Sequence, residues 1–427
     1  MGRDDVNIDP KRVVVIGQGY VGLPVSMRAV EVGHDVVGLD LDQRRVASLN
    51  SGSSHVDDVS DDELAAALRC GRYVATDDYA DADDFDFAVI SVPTPLKESL
   101  PDLAFIESAA TSLAPYVRTG AVVILESTTY PGTTEELLVP LLESGSGLKS
   151  GTDFFVGYSP ERIDPGNKTW GFQRTPKIVS GVNAESLVRV RSFFDGLVDT
   201  TVPVSSPREA EMAKLLENTF RHVNIALVNE LAIFAHALRV NVWEAIEAAA
   251  TKPFGFMKFT PGPGVGGHCL PVDPSYLSWQ VRRKLGKNFR FVELANDVND
   301  HMPEYVLQRS IRLLNDSSKS LRGARVLLLG LSYKKNTGDI RESPALPLID
   351  LLQEHAADVH ACDSHVEDHH WPSGVTRASR EEAASGPFDL VVLVTDHDDV
   401  DYEPYESGDT PVFDTRNRLS GCMVERL

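Results

Sequence analysis

One cysteine stands in a setting that suits covalent chemistry. Cys269 follows Pro261-Gly262-Pro263-Gly264-Val265-Gly266-Gly267-His268 and precedes Asp273 by four residues. So many glycines predict backbone amides packed against a ligand, with the thiol presented to it. The reactive form is the thiolate, whose pKa must be brought below ~8.5 by amides or a nearby cation, and Lys214 is a candidate for that cation. His268 can polarise the thiol or point away from it. Cys70, Cys362 and Cys422 lack such a context and read as structural. No CxxC pair suggests a disulfide framework or a zinc site, and no metal is expected. Lys214 and Asn218 are four residues apart and share one helix face. Together they can stabilise an oxyanion, or hold an alcohol oxygen while its proton leaves. An isolated pair of this kind is more often a solvated lysine beside a capping asparagine.

A second set of residues suits a dinucleotide. Gly17-Gln18-Gly19-Tyr20-Val21-Gly22 follows an apolar run and opens a helix-like stretch, and Asp40 ends the next apolar run. Gly17 permits a tight turn, Gly19 lets the backbone approach a pyrophosphate, and Gly22 lets helix and strand pack closely. A pyrophosphate would sit at the helix N-terminus, where free N–H groups and the helix dipole favour an anion. Asp40 would accept from a ribose 2′-hydroxyl and repel a 2′-phosphate, which favours NAD over NADP. The bland alternative is a glycine-rich turn in an ordinary sheet. Ser91-Val92-Pro93-Thr94-Pro95 and Glu126-Ser127-Thr128-Thr129-Tyr130-Pro131 fall just past strand ends, the edge where ligands of open α/β sheets bind. Their hydroxyls can hold a cofactor or orient a water; alone, each is more often turn chemistry or a helix cap.

These residues need elements to position them. Arg12–Ile16, Val36–Asp40, Phe87–Val92, Ala121–Glu126 and Phe154–Gly157 are short β-branched runs bounded by Gly, Pro or Asp, and read as buried strands. Val21–Val32 and Asp61–Leu68 read as intervening helices. Strands alternating with helices predict a parallel, doubly wound sheet. From Pro207 to Val240 there is no Gly and no internal Pro, and apolar residues recur every three or four positions. That predicts one amphipathic helix of ~51 Å, suited to bridging domains and to a subunit interface, or two ordinary helices end to end. Thr260–Pro274 reads as a Gly/Pro-rich loop, with a further helix through Val306–Leu314. From Arg325 the α/β texture returns, with strands at Arg325–Leu331, Asp358–Asp363 and Phe388–Thr395 and a helix at Ala345–Leu352. The fold class expected is α/β: two Rossmann-like doubly wound domains, 1–205 and 306–427, joined by a central helical dimerisation region over 206–305.

Taken together, six segments resemble the nucleotide-sugar 6-dehydrogenases, the family of UDP-glucose, UDP-N-acetylhexosamine and GDP-mannose dehydrogenases. They are GQGYVG at Gly17, STTYPGTT at Ser127, YSPERIDPGN at Tyr158, KLLENTFRHVNIALVNELA at Lys214, PGPGVGGHCLPVDP at Pro261 and GLSYKKNTGDIRESPAL at Gly330. Their order and spacing cover nearly the whole chain. The resemblance implies an NAD domain, a central dimerisation region and a C-terminal UDP-binding domain. It makes Cys269 the covalent nucleophile, with Lys214, Asn218 and Asp273 as its partners, Glu161 the base for thioester hydrolysis, and Thr128 an orienter of water. It implies NAD contacts at Gly17, Gly19, Tyr20, Val21, Gly22, Asp40, Arg45, Thr94, Thr128 and Arg341. Substrate contacts are implied at Glu161, Arg162, Lys214, Asn218, Gly266 and Lys334.

The chain departs from the UDP-glucose branch at two places. Pro165 stands where that branch usually has a second glutamate, and Val272 replaces the lysine of GGSCxxKD. The segments YSPERIDPGN and GGHC look more like the branch acting on UDP-N-acetylglucosamine or UDP-N-acetylgalactosamine. UDP-glucose and UDP-N-acetylmannosamine remain alternative substrates. A two-electron dehydrogenase of the β-hydroxyacid type, or a non-catalytic nucleotide-sugar binder, would also keep a Rossmann domain. The acidic excess, 63 Asp plus Glu against 41 Lys plus Arg for a formal charge of −22, counts against nucleic acid and a polybasic membrane anchor. It is expected on the surface, including the Asp57–Asp62 and Asp77–Asp86 loops. With no apolar leader at MGRDDVNIDP and no run long enough to span a bilayer, the expected compartment is the cytoplasm.

Overall fold

A computed structural model describes residues 9–56, 58–97, 100–163, 167, 169–267 and 269–427, apart from the side chains of Cys269 and Pro271. The Cys269 thiol, His268, Asp57 and Pro165 therefore lie outside the described residues. The chain divides into two compact units between Glu217 and Asn218. No described helix is long and apolar enough to cross a membrane.

The first unit is a βα-alternating sheet. In chain order its elements are β1 (Arg12–Ile16), α1 (Gly22–Glu31), β2 (Asp35–Leu39), α2 (Gln43–Asn50), α3 (Asp61–Arg69), β3 (Tyr73–Thr76) and β4 (Phe87–Ile90). A two-residue hairpin follows, β5 (Leu96–Lys97) and β6 (Leu100–Pro101), then α4 (Ala104–Leu113), β7 (Val122–Leu125), α5 (Val139–Ser146) and β8 (Phe155–Tyr158). The main sheet runs β3-β2-β1-β4-β7-β8, parallel throughout. Its central strands are buried almost end to end, which is why RVVVI and VVIL read as unbroken apolar runs. Strand β9 (Lys177–Val179) pairs with β10 (Thr201–Pro203) across α6 (Ala184–Leu197). Every strand of this sheet that was legible in the sequence is present within a residue or two. The missed one, β3, is an edge strand of four residues with Val74 exposed between buried Tyr73 and Ala75.

Helix α7 (Pro207–Ala237) is a single run of 31 residues, ~47 Å long, and the division between units falls within it. It stops before the expected Val240 because Arg239 turns to φ 56, a left-handed conformation that ends a helix. After it come α8 (Val242–Ala250), α9 (Cys269–Leu285) and α10 (Arg290–Asp316). The second half of the expected Gly/Pro loop is thus helical. Buried Val272, Tyr276 and Leu277 draw Cys269–Pro274 into α9, although Pro274 deprives one first-turn carbonyl of its helical partner. In the same way α10 runs straight through Pro303, its buried Val292, Ala295, Asn299, Met302 and Val306 keeping a three-to-four spacing.

The second unit also holds a parallel sheet: β11 (Arg325–Leu329), β12 (Asp358–Cys362), β13 (Thr376–Arg377), β14 (Leu390–Leu393), β15 (Val412–Asp414) and β16 (Val424–Arg426), with α11 (Ala345–Glu354) on one face. Its order, β13-β12-β11-β14-β15-β16, reproduces that of the first sheet. One core joins this sheet to the helical region, with Val228, Ala232, Trp243 and Val306 packed among Val326, Leu328 and Val392. Both sheets place their glycine turns and acids at the C-terminal strand edge, where ligands of this fold bind.

Candidate active site

The turn after β1 fits a dinucleotide. Gly17 has φ +93, and a Cβ there would lie 2.6 Å from the Ser91 carbonyl oxygen. A Cβ on Gly22 would lie 1.8 Å from the carbonyl oxygen of Gly17. Both positions are glycine because the protein itself fills the space. Gly19 differs: among the described residues, its chain neighbours aside, no atom lies within 4 Å of the Cβ it lacks. The space left open at the first turn of α1, beside free N–H groups, fits a pyrophosphate. Asp40, buried past the end of β2, accepts from Gln18 N at 2.9 Å and from Asp42 N at 3.0 Å, and pairs with Arg45 Nη1 at 2.8 Å. One Oδ1 lone pair is left for a ribose hydroxyl. The Gln18 side chain locks the turn from behind, donating to Val15 O and accepting from Ser26 and Tyr73. Tyr20 is exposed and Val21 precedes α1 as its N-cap. Thr94 is buried past β4, and Thr128 half-buried past β7.

Beside this turn the first unit gathers a cluster of charges. Lys214, 7% exposed, donates from Nζ to the backbone carbonyl of Glu161 at 2.6 Å. The Glu161 carboxylate accepts from the N–H groups of Arg162 and Ile163 through Oε1. Its Oε2 lies 3.6 Å from Lys177 Nζ, and Lys177 makes a direct ion pair with Glu126. Burial pushes the Glu126 carboxyl up to about 7, with Lys177 opposing and Glu161 reinforcing the shift. Arg162 is engaged internally, with Glu217 at 2.6 Å and the Pro176 carbonyl at 2.5 Å. Glu211, also fully buried on α7, accepts from Gly132 N, Thr134 N and Thr134 Oγ1 and so anchors the turn after Thr128. Lys177 and Glu211 escaped sequence reasoning, which gave Glu126 a place at a strand end but no role. A lysine in Lys-Ile-Val and a glutamate in a helix of mixed polarity carry no local signal of burial.

In the second unit Asn218 donates to Asp273 Oδ2 at 2.5 Å, with both side chains buried. Cys269 is the first residue of α9. The preceding glycines have a cause within the protein. A Cβ on Gly264 would lie 2.9 Å from Pro344, and one on Gly267, at φ +84, 2.7 Å from the Tyr333 ring. At Gly266 it would meet Glu342 O and Tyr333 Cβ, both at 2.7 Å. Protein packing by itself leaves no room for side chains at these three positions. Gly267 N donates to the Arg341 carbonyl at 3.1 Å, and Gly262 N donates to Asn229 Oδ1 at 2.9 Å, which ties the loop to α7. The Arg341 side chain pairs with Asp339 at 2.6 Å, and the Lys334 carbonyl accepts from Ser332 Oγ at 2.8 Å.

Comparison with known proteins bears on this arrangement. Three models of the UDP-glucose/GDP-mannose dehydrogenase family match in succession: its NAD binding domain at residues 11–195, its central domain at 208–301 and its UDP binding domain at 327–421. A UDP-N-acetyl-D-mannosamine dehydrogenase from Pyrococcus horikoshii is 36% identical over 397 residues, 93% of this chain and 92% of that protein. The chain belongs to the UDP-glucose/GDP-mannose dehydrogenase family. It is an NAD-dependent oxidoreductase of nucleotide sugars. A UDP-N-acetyl-D-glucosamine 6-dehydrogenase from Pseudomonas aeruginosa is 37% identical over 392 residues, 90% of each chain. The solved UDP-D-ManNAc dehydrogenase of Pyrococcus horikoshii superposes with a TM-score of 0.88 at 35% identity, covering 97% of this chain and 98% of that one.

The family's UDP binding domain repeats the logic of the NAD turn with a different filling. Gly330, at φ +80, has no room for a Cβ, which would lie 2.4 Å from Thr395 O, much as Gly17 abuts Ser91. Asp363 at the end of β12 accepts from Leu331 N at 2.7 Å, as Asp40 accepts from Gln18 N. In this dehydrogenase, however, His397 Nε2 occupies the acid at 3.0 Å, and Asn336 N donates to its Nδ1 at 2.9 Å. Burial raises the Asp363 carboxyl, but its bonds to His397 and the backbone outweigh that and hold it below its usual range. Among the described residues His365, His397 and Asp399 could approach a common ion. With both nitrogens of His397 engaged, the group is organised as a clasp closing the loop over residues 331–336.

Proposed function

We propose that this chain oxidises the C6 alcohol of a UDP-N-acetylhexosamine to the uronic acid in two steps, through a thioester on Cys269. UDP-N-acetylglucosamine or UDP-N-acetylgalactosamine is the first choice of substrate. The observation that carries the reading is the buried 2.5 Å hydrogen bond from Asn218 to Asp273, on the first turns of the helix that Cys269 opens. NAD supplies the electron acceptor for each oxidation when bound. Asp273, with a water and Lys214, takes the proton of the C6 hydroxyl. The Cys269 thiolate adds to the aldehyde carbon, and Lys214 and Asn218 stabilise the oxyanion that forms. After the second oxidation Glu161 takes a proton from water, the hydroxide adds to the thioester carbonyl, the C–S bond breaks and the thiolate returns. Covalent capture keeps the aldehyde from escaping between the two oxidations.

We place the NAD contacts at Gly17, Gly19, Tyr20, Val21, Gly22, Asp40, Arg45, Thr94, Thr128 and Arg341, and substrate contacts at Arg162, Gly266 and Lys334. The family-model boundaries support a division at 1–205, 206–305 and 306–427. We also propose a homodimer through α7, whose Phe220, Leu227, Leu231 and Phe234 are exposed at helical spacing. A cytoplasmic site suits a thiol nucleophile, which needs a reducing compartment. UDP-N-acetylmannosamine is favoured as a second substrate by the Pyrococcus horikoshii relative. The test counts NADH per sugar with the UDP derivatives of N-acetylglucosamine, N-acetylgalactosamine, N-acetylmannosamine and glucose. Two NADH per sugar and a preference for an N-acetylated substrate are expected; one NADH per sugar refutes the thioester route.

A further inference from the structure

Three ionisable side chains from three strand ends meet inside the first unit. Glu126 follows β7, Glu161 follows β8, and Lys177 begins β9. Glu126 is 1% exposed and Lys177 3%. Lys177 is ion-paired to Glu126, lies 3.6 Å from Glu161 Oε2, and has its ammonium 5.4 and 5.2 Å from the ring centres of Phe172 and Phe194. Among the described residues no donor reaches buried Oε2 of Glu126 or of Glu161, and the two carboxyls lie within hydrogen-bonding reach of each other. Two carboxylates and one ammonium leave a buried excess of one negative charge, which a single proton neutralises. Lost solvation opposes charge on Lys177, but the two carboxylates outweigh it and hold its pKa above the ordinary value. A cluster kept only for stability would be expected to satisfy those oxygens or to be apolar.

We propose that Lys177, anchored by Glu126, is a positioning residue that holds the Glu161 carboxylate in the orientation and charge state of a base for thioester hydrolysis. This rests on the reading of Cys269 and Glu161 given above. Among the described residues, the charged groups that face Glu161 are Glu126 from β7, Lys177 from β9, Lys214 from α7 through the Glu161 carbonyl, and the adjoining Arg162, itself paired to Glu217. Lys177 is thus the ammonium that meets the carboxylate, while Lys214 meets the backbone. Burial favours the neutral form of Glu126, and Glu161, which faces Lys177, is the carboxylate placed to accept a proton from water. Neither Glu126 nor Lys177 need touch the sugar.

The test compares full-length wild type with Lys177→Met and Lys177→Arg, using UDP-N-acetylglucosamine and NAD in rapid-mixing and intact-mass experiments. In Lys177→Met the first two NADH per site are expected at a near wild-type rate. Steady turnover should then fall about tenfold or more, with a thioester adduct accumulating on the protein. The acid limb of the turnover profile should move to higher pH by about one unit or more. Lys177→Arg should restore both. Equal loss of the burst and of turnover overturns the proposal, and so does unchanged turnover with an unmoved acid limb. Should Lys177→Met not fold, Glu126→Gln keeps the volume and slackens the anchor; adduct accumulation supports the proposal, and adduct-free wild-type turnover overturns it. Glu161→Gln separates the two levels. If it traps the adduct and Lys177→Met does not, only the present inference fails; if no variant traps an adduct, the thioester reading itself has failed.

Discussion

Replacing each glycine of the first turn by alanine in turn separates what the fold needs from what the ligand needs. At Gly22 the new Cβ would sit 1.8 Å from a backbone oxygen, and at Gly17 2.6 Å from another at a left-handed φ. Neither oxygen is on a flexible side chain, so strand and helix must part. The expected cost is about 3 kcal/mol or more at Gly22, the upper range for overpacking. At Gly19 the same methyl meets, among the described residues and its chain neighbours aside, no atom within 4 Å. The expected change in stability of Gly19→Ala is therefore within about 0.5 kcal/mol. A methyl in the space read here as the pyrophosphate site should nonetheless weaken NAD by about tenfold or more, or about 1.4 kcal/mol. Denaturant unfolding without ligand measures the first quantity. Calorimetric NAD titration, with a UDP titration as control, measures the second. An unfolded Gly19→Ala protein, or one that binds NAD as tightly as wild type, would refute the assignment of that space.

Three further outcomes follow from the same geometry. Asp40→Ser frees Arg45 from its 2.8 Å partner and removes the charge that repels a 2′-phosphate. The ratio of NADP to NAD efficiency should rise about tenfold or more, read from initial rates with each cofactor. Glu211→Gln turns one acceptor of a buried carboxylate into an amide facing the donor N–H of Gly132 or Thr134. It should cost about 1–3 kcal/mol in urea unfolding, and wild-type stability would show that the carboxylate is not the anchor of that turn. Phe234→Asp places a charge on the exposed apolar face of α7. Sedimentation should show monomer where wild type is dimeric, and an unchanged dimer would move the interface elsewhere.

Much of the frame was legible because it obeys local rules. The glycine turn, the acid at Asp40 and the strands of the first sheet follow from chain conformation and from unbroken apolar burial, which a sequence displays directly. The long α7 was legible from apolar residues at three and four spacings with no breaker. Helices α9 and α10 were misjudged where prolines at 274 and 303 sit inside them, because buried neighbours outweigh a lost N–H bond. At the glycines before Cys269 a Cβ is excluded by Tyr333, Glu342 and Pro344, some 65–80 residues further along the chain, which no local motif shows.

By itself, then, the sequence determined the family and the cofactor, since motifs of a few adjacent residues carry that chemistry. Only the tertiary structure decided which charges meet. Lys214 reaches a backbone oxygen while Lys177 reaches the carboxylates, Asp40 is shared between Gln18 and Arg45, and Asp363 is taken by His397. Coulombic and hydrogen-bond partners are set by distance in space, which strand order and helix packing create and no local pattern records.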